Sequence, residues 1–208
     1  SEAKRVRLDE PSDSGKPAPG WRGLSENDLS AISSGFQKRV DCSDPAGSYE
    51  VIGAPFPACR LRNVFDPSLL RDALNAIRDD SLFVPKSNDL YKFHQSRHDF
   101  AVTTNPALVA LRNAIYSESF RGMISSVIGA QVSDRIDMSA ARYAHTDYLL
   151  CHDDELDGRR VAFIVYLVSE DWSAEDGGAL DLFDTYEREL VLLFLLFYVL
   201  SDFLVVYL

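Results

Sequence analysis

Apolar and polar positions change rhythm twice along this chain. Up to residue 46, apolar residues are too scattered to bury a face, and Ser, Pro, Gly, Asp and Glu dominate, which predicts a disordered tail over 1–46. A folded domain is predicted over 47–189. Asp66 and Pro67 read as the N-cap and first residue of a helix. Leu69, Leu70, Ala73, Leu74 and Ile77 then recur at helical spacing until Arg78-Asp79-Asp80. Ser87-Asn88-Asp89-Leu90-Tyr91-Lys92-Phe93 reads as part of a loop. Two more helices follow, over 106–115 and 119–128, with Gly129 as the stop.

From Arg135 the period falls to two. Ile136, Met138, Ala140 and Arg142 alternate with Asp137, Ser139, Ala141 and Tyr143. An extended stretch 148–151 leads into a polar turn from His152 to Arg160. Residues 161–168 form a continuous apolar strand containing Tyr166. Gly177-Gly178 marks a turn before a last strand over 179–183. Helices first and short strands after, without βαβ alternation, predict an α+β fold, mainly β: an antiparallel sheet or barrel with supporting N-terminal helices.

Composition narrows the function. Lys and Arg number 21 and Asp and Glu 32, a net charge of −11, so no general affinity for nucleic-acid backbones is expected. Cys42, Cys59 and Cys151 are too few and too irregular for a disulfide framework and fit a reducing compartment; none has zinc-site spacing. The polar first residues do not read as a secretory signal. Ala3-Lys4-Arg5-Val6-Arg7-Leu8-Asp9 is similar to short nuclear-import signals, which implies a nuclear as well as a cytoplasmic location.

The chemistry concentrates at His152 and Asp154. A His and a carboxylate two residues apart at a strand end project to one side, as two metal ligands must. Imidazole plus carboxylate with open positions is the ligand set of non-haem Fe(II) oxygenases. Alone, this spacing is far more often a surface turn than a metal site. Its surroundings single it out: Tyr143, then His152-Asp153-Asp154, Gly158-Arg159-Arg160, Phe163-Ile164-Val165-Tyr166-Leu167 and Gly177-Gly178-Ala179-Leu180. The string resembles the first half of the double-stranded β-helix, a jelly-roll or cupin-like barrel, of Fe(II)/2-oxoglutarate oxygenases of the prolyl hydroxylase type. Leu149 to Phe163 looks like the prolyl 3,4-dihydroxylase type that modifies a small-subunit ribosomal protein. Asn88 to Phe93, Ala54-Pro55-Phe56-Pro57 and Asn63-Val64-Phe65 resemble the same family upstream.

The resemblance implies that His152 and Asp154 bind Fe(II), and that Tyr143 and Tyr166 line the pocket of the co-substrate 2-oxoglutarate. It also implies L-ascorbate as iron reductant, a proline-containing ribosomal protein as partner and a link to translation termination. Asp153 reads as a solvated turn residue, His145 as structural or substrate-side, His94 and His98 as surface residues and Cys151 as a buried strand cysteine. Resemblance also demands a second iron-binding His late in the barrel and an Arg that clamps 2-oxoglutarate. No His follows His152 and no Arg follows Arg188, so the barrel is expected to be incomplete and C-terminally truncated. Residues 190–208 are a long apolar run with three readings: a membrane anchor (the one route to a membrane partner), strands that pack the remaining core, or a non-family tail, the last preferred. A non-catalytic binding protein and a membrane-tethered interaction protein stand as alternatives to the oxygenase.

Overall fold

The structure, a computed structural model, describes residues 19–152, 160–168, 172–183, 190–191 and 204–207. The basic cluster at 3–9 lies outside these residues. The expected tail does not extend to residue 46, because helix α1 spans Glu26–Lys38. Ser25 caps it by accepting the Asp28 N–H at 3.1 Å, and Ile32 and Phe36 are fully buried. Few apolar residues suffice, because they fall on one helical face in an otherwise polar, Ser-rich segment. Gly35 lets this face close on the strands behind it: a Cβ there would stand 2.6 Å from the Cys42 sulfur. Ahead of α1, residues 20–22 are clipped to 64–66 by backbone hydrogen bonds and by Arg22, whose guanidinium donates twice to Asp66.

Strands β1 (Cys42–Ser43), β2 (Tyr49–Ile52) and β3 (Ala58–Leu61) form an antiparallel meander. Helix α2 (Pro67–Ile77) runs where the apolar stripe places it. Asp66 occupies the N-cap position without a side-chain cap bond, its carboxylate being held by Arg22 instead. The expected loop after α2 is a hairpin. Strand β4 (Phe83–Ser87) pairs with β5 (Tyr91–Ser96) across a turn in which the Asn88 carboxamide accepts the Leu90 and Tyr91 amides. Helices α3 (Pro106–Ile115) and α4 (Glu118–Ile128) follow, capped by Asn105 and Ser117, and Gly129 ends α4 in the left-handed conformation at φ 72°.

The remaining described strands are short: β6 (Ala141–Arg142), β7 (Tyr148–Leu149), β8 (Ala162–Val165), β9 (Leu182–Phe183), β10 (Leu190–Val191) and β11 (Leu204–Tyr207). The first sheet has the order β1-β2-β3-β11-β8; the second is β4-β5-β6, with β7 also on β5; β9 and β10 pair separately. All the pairings are antiparallel. This bears out a mixed fold of antiparallel sheets and helices. The expected balance, mainly β, does not hold among the described residues, where the four helices outweigh strands that are often two residues long. Of the three readings of the tail, β11 fits the one in which it packs as strand, since it fills the slot between β3 and β8. Among the described residues no helix is long and apolar enough to cross a membrane.

The core lies between α1–α4 and the first sheet. At its centre Phe120 of α4 meets Trp21 at 5.1 Å, Phe65 at 6.4 Å and Phe163 of β8 at 5.5 Å between ring centroids. One side chain thus joins the N-terminal clip, the helical layer and the strand that leads toward the site.

Tyr116, just past α3, donates its hydroxyl to the Ile136 carbonyl at 2.9 Å, and burial pushes its phenol up to about 12. A folded value above the unfolded one, about 10, means that this contribution is complete below pH ~10 and is lost as pH rises toward 12. Tyr116→Phe is expected to cost about 1 kcal/mol near neutrality. It should also remove a step near pH 12 from an ultraviolet phenolate titration of the folded chain.

Candidate active site

Alternation along β5 splits its side chains. Tyr91, Phe93 and Gln95 face one side, and Lys92, His94 and Ser96 the other. Arg142 of β6 pairs with His94, so Tyr143 falls beside Phe93. The Phe93 and Tyr143 rings stack with centroids 5.2 Å apart, and Tyr91 meets Phe93 at 5.2 Å. The result is an aromatic ladder with Tyr143 at its open end, 45% exposed.

Strand β8 shows why residues 161–168 read as one apolar run. Val161, Phe163, Val165 and Leu167 pack against the helical core, so Ala162, Ile164 and Tyr166 turn to the opposite face. Tyr166 is largely buried there. Burial first, and then the neighbouring Tyr143 hydroxyl, push its phenol well above the ordinary range. Its phenol is a hydrogen-bond donor set among apolar neighbours. Tyr143, one residue past β6, and Tyr166, one residue past β8, are near enough for the first hydroxyl to act electrostatically on the second.

His152 lies three residues past β7 and is exposed. Its Nδ1 is 2.8 Å from the Leu150 carbonyl oxygen. A carbonyl can only accept, so Nδ1 carries a proton; in a neutral ring so held the lone pair is on Nε2, the tautomer of a histidine that ligates through Nε2. Asp154 and Asp153 lie outside the described residues. Among those residues, no group of three or more His, Cys, Asp and Glu is placed to hold a metal.

The other sequence candidates fall as follows. His145 and His98 are exposed, while His94 stands on β5 with Nδ1 3.8 Å from Asp147. Cys151 is exposed rather than buried, because the strand ends two residues before it. Asp147 was not singled out in the sequence. Its side chain is only 4% exposed, with Lys92 Nζ at 3.4 Å and the Ala144 N–H donating to it at 3.0 Å. The one available signal was the alternation of Lys92 and His94 with aromatic residues, which marks β5 as a strand with a charged face.

Comparison with known proteins places these residues in a wider frame. Residues 138–192 match the 2OG-Fe(II) oxygenase superfamily. The chain is 43% identical over 141 residues to prolyl 3-hydroxylase OGFOD1 of Xenopus laevis, covering 66% of this chain and 26% of that protein. It is 45% identical over 137 residues to prolyl 3-hydroxylase OGFOD1 of Mus musculus, covering 64% and 24%. It is also 34% identical over 145 residues to prolyl 3,4-dihydroxylase OGFOD1 of Ostreococcus tauri, covering 64% and 28%. The chain spans about a quarter of the length of these curated relatives.

Proposed function

We propose, from the premise that this chain belongs to the prolyl-hydroxylase type of 2OG-Fe(II) oxygenases, that it supplies the iron-binding His152 and Asp154 and the 2-oxoglutarate-facing Tyr143 and Tyr166 of a site that hydroxylates proline. The observation that carries this reading is the placement of Tyr143, on the aromatic ladder of β5, near Tyr166 and ahead of His152, whose Nδ1 bonds the Leu150 carbonyl and leaves Nε2 to ligate.

The donor set fits the group. His152 offers a neutral Nε2 lone pair and Asp154 a carboxylate, the pair that suits Fe(II) with positions left open. Fe(II) with 2-oxoglutarate supplies oxidative hydroxylation: O₂ and 2-oxoglutarate are consumed, succinate and CO₂ form, and a proline C–H becomes C–OH. The Leu150 carbonyl holds the His152 ring in its tautomer. The Tyr143 and Tyr166 hydroxyls donate to a co-substrate carboxylate, and the Phe93 ring walls off water behind Tyr143. Tyr166→Phe is then expected to raise the 2-oxoglutarate requirement about tenfold or more, the worth of a hydrogen bond to a charged group. The fold should be unchanged, and a succinate-release assay against 2-oxoglutarate concentration reads the shift.

The finer reading extends the likeness. The substrate is a proline-containing loop of a small-subunit ribosomal protein, acting in translation termination; L-ascorbate keeps the iron reduced; the sheets are part of a double-stranded β-helix; and the protein is nuclear and cytoplasmic. It is tested by incubating the chain with Fe(II), 2-oxoglutarate, ascorbate and small ribosomal subunits and searching by mass spectrometry for one added oxygen on a proline. A modified proline that disappears in His152→Ala supports it, and unmodified protein under conditions where iron and 2-oxoglutarate bind removes the substrate assignment.

One observation favours a second reading. His94, His98 and His145 all precede His152, so these 208 residues carry two of the three expected ligands in the expected places. Acting alone, this polypeptide would bind the substrate protein without turnover. Co-purification of an unmodified ribosomal protein separates the two readings.

A further inference from the structure

We infer that Asp147, clamped by Lys92 and His94, is a positioning residue that locks a four-residue excursion between β6 and β7 and so fixes where Tyr143 and His152 stand relative to each other. The roles of Tyr143 and His152 are those proposed above; the lock itself rests on geometry.

Strands β6 and β7 both lie antiparallel along β5, and they read as one strand with an interruption. Arg142 faces His94, but Lys92 is faced by Tyr148 rather than Ala144. The pairing slips by four residues, so 144–147 leave the sheet and return to it. An even slip keeps the side-chain phase, which places Leu149, opposite Tyr91, on the same face as the aromatic ladder. Interruptions of this kind re-aim side chains next to active sites and are features of design rather than defects. Here the excursion lies between Tyr143, one residue before it, and His152, five residues after it.

Asp147 closes the excursion. Its N–H donates to the Ala144 carbonyl at 2.9 Å, and its carboxylate accepts the Ala144 N–H at 3.0 Å. The side chain is 4% exposed in an otherwise exposed stretch, which would be costly for a carboxylate without partners. Lys92 Nζ stands 3.4 Å from one oxygen and His94 Nδ1 3.8 Å from the other. The Ala144 hydrogen bond above all, with help from Lys92 and His94, holds this carboxyl below the usual range against the opposing effect of burial.

Thr146 gives independent support. It sits at φ 72°, a left-handed conformation that is a strained outlier for a β-branched residue. Such strain persists where the surroundings over-determine it, and Lys92 Nζ donates to the Thr146 hydroxyl at 3.1 Å. Lys92 and His94 come from the face of β5 opposite the ladder, so the clamp works from behind without occupying the site.

The test is amide hydrogen exchange on the metal-free chain, followed by mass spectrometry of peptides covering 143–151, for Asp147→Ala, Lys92→Met and Lys92→Arg. Mn(II) affinity in the presence of 2-oxoglutarate is measured alongside. The Asp147 and Leu150 amides, bonded to the Ala144 and Leu90 carbonyls, are expected to exchange about tenfold faster in the first two variants. Lys92→Arg should stay at the parent rate, and peptides from α1 and α4 should not change. Mn(II) affinity should fall about tenfold with the lock, as when the group orienting a ligand is removed. Should Asp147→Ala fail to fold, Lys92→Met, at a side chain 47% exposed, decides alone. Unchanged exchange in a folded variant overturns the lock. Faster exchange with unchanged Mn(II) affinity overturns the positioning role. Faster exchange in a parent chain that binds no Mn(II) supports the lock and sinks the function proposed above.

Discussion

Phe120→Ala is expected to destabilise the chain by about 3–5 kcal/mol, the range for emptying a fully packed aromatic site. The ring is 2% exposed and touches Trp21, Phe65 and Phe163. Trp21 and Phe65 are tied to each other in the N-terminal clip and Phe163 is paired into the first sheet through β8, so none is free to collapse into the hole. A domain of this size has about 5–15 kcal/mol in total, so a large share of its stability is at stake. Denaturant unfolding followed by tryptophan fluorescence checks this directly, because Trp21 is one of the three contacts. A loss under 1 kcal/mol would show that the helical layer and β8 are not held through this ring. Since Tyr166 directly follows β8, the same substitution should weaken co-substrate binding in whatever fraction remains folded.

The second large effect belongs to His152. His152→Ala is expected to weaken Mn(II) binding, measured by calorimetry with 2-oxoglutarate present, by at least about a hundredfold, beyond the tenfold to hundredfold typical of a group that only orients a ligand. Stability should scarcely change, because the ring is exposed and its Nδ1 bonds a carbonyl only two residues away along the chain. Substitution of His145, exposed on the excursion, should leave metal affinity at the parent level. That contrast separates a ligand from a nearby histidine.

How much of this was legible beforehand follows from the range of the interactions involved. Helices α2 and α3 were readable because their start signals, Asp66-Pro67 and Asn105-Pro106, and their apolar stripes are local, and α4 because Gly129 stops it. The string from Tyr143 to Leu180 was readable because several spaced residues agree. Helix α1 was missed because Leu29, Ile32 and Phe36 are a thin stripe inside a composition that suggests a tail, and their burial depends on α4 and β2. The β4–β5 hairpin was taken for a loop because the Asn88 turn signal dominated the flanking alternation. The strand ends were overestimated for a physical reason as well: the apolar run 161–168 continues past the paired span of β8, because Val161 and Leu167 pack on the core without strand pairing. Asp147 was beyond reach of any local pattern, since its partners Lys92 and His94 are more than fifty residues away and meet it only through sheet register.

The most direct test is an anaerobic titration of the chain with Fe(II) and 2-oxoglutarate, followed by the visible iron-to-oxoacid charge-transfer absorption. A band that needs both components, and that is absent from folded His152→Ala, is expected if His152, Asp154, Tyr143 and Tyr166 act together on one iron and one co-substrate. A folded parent chain that shows no band at saturating Fe(II) and 2-oxoglutarate, or a band that survives in His152→Ala, would contradict the assignment of these residues.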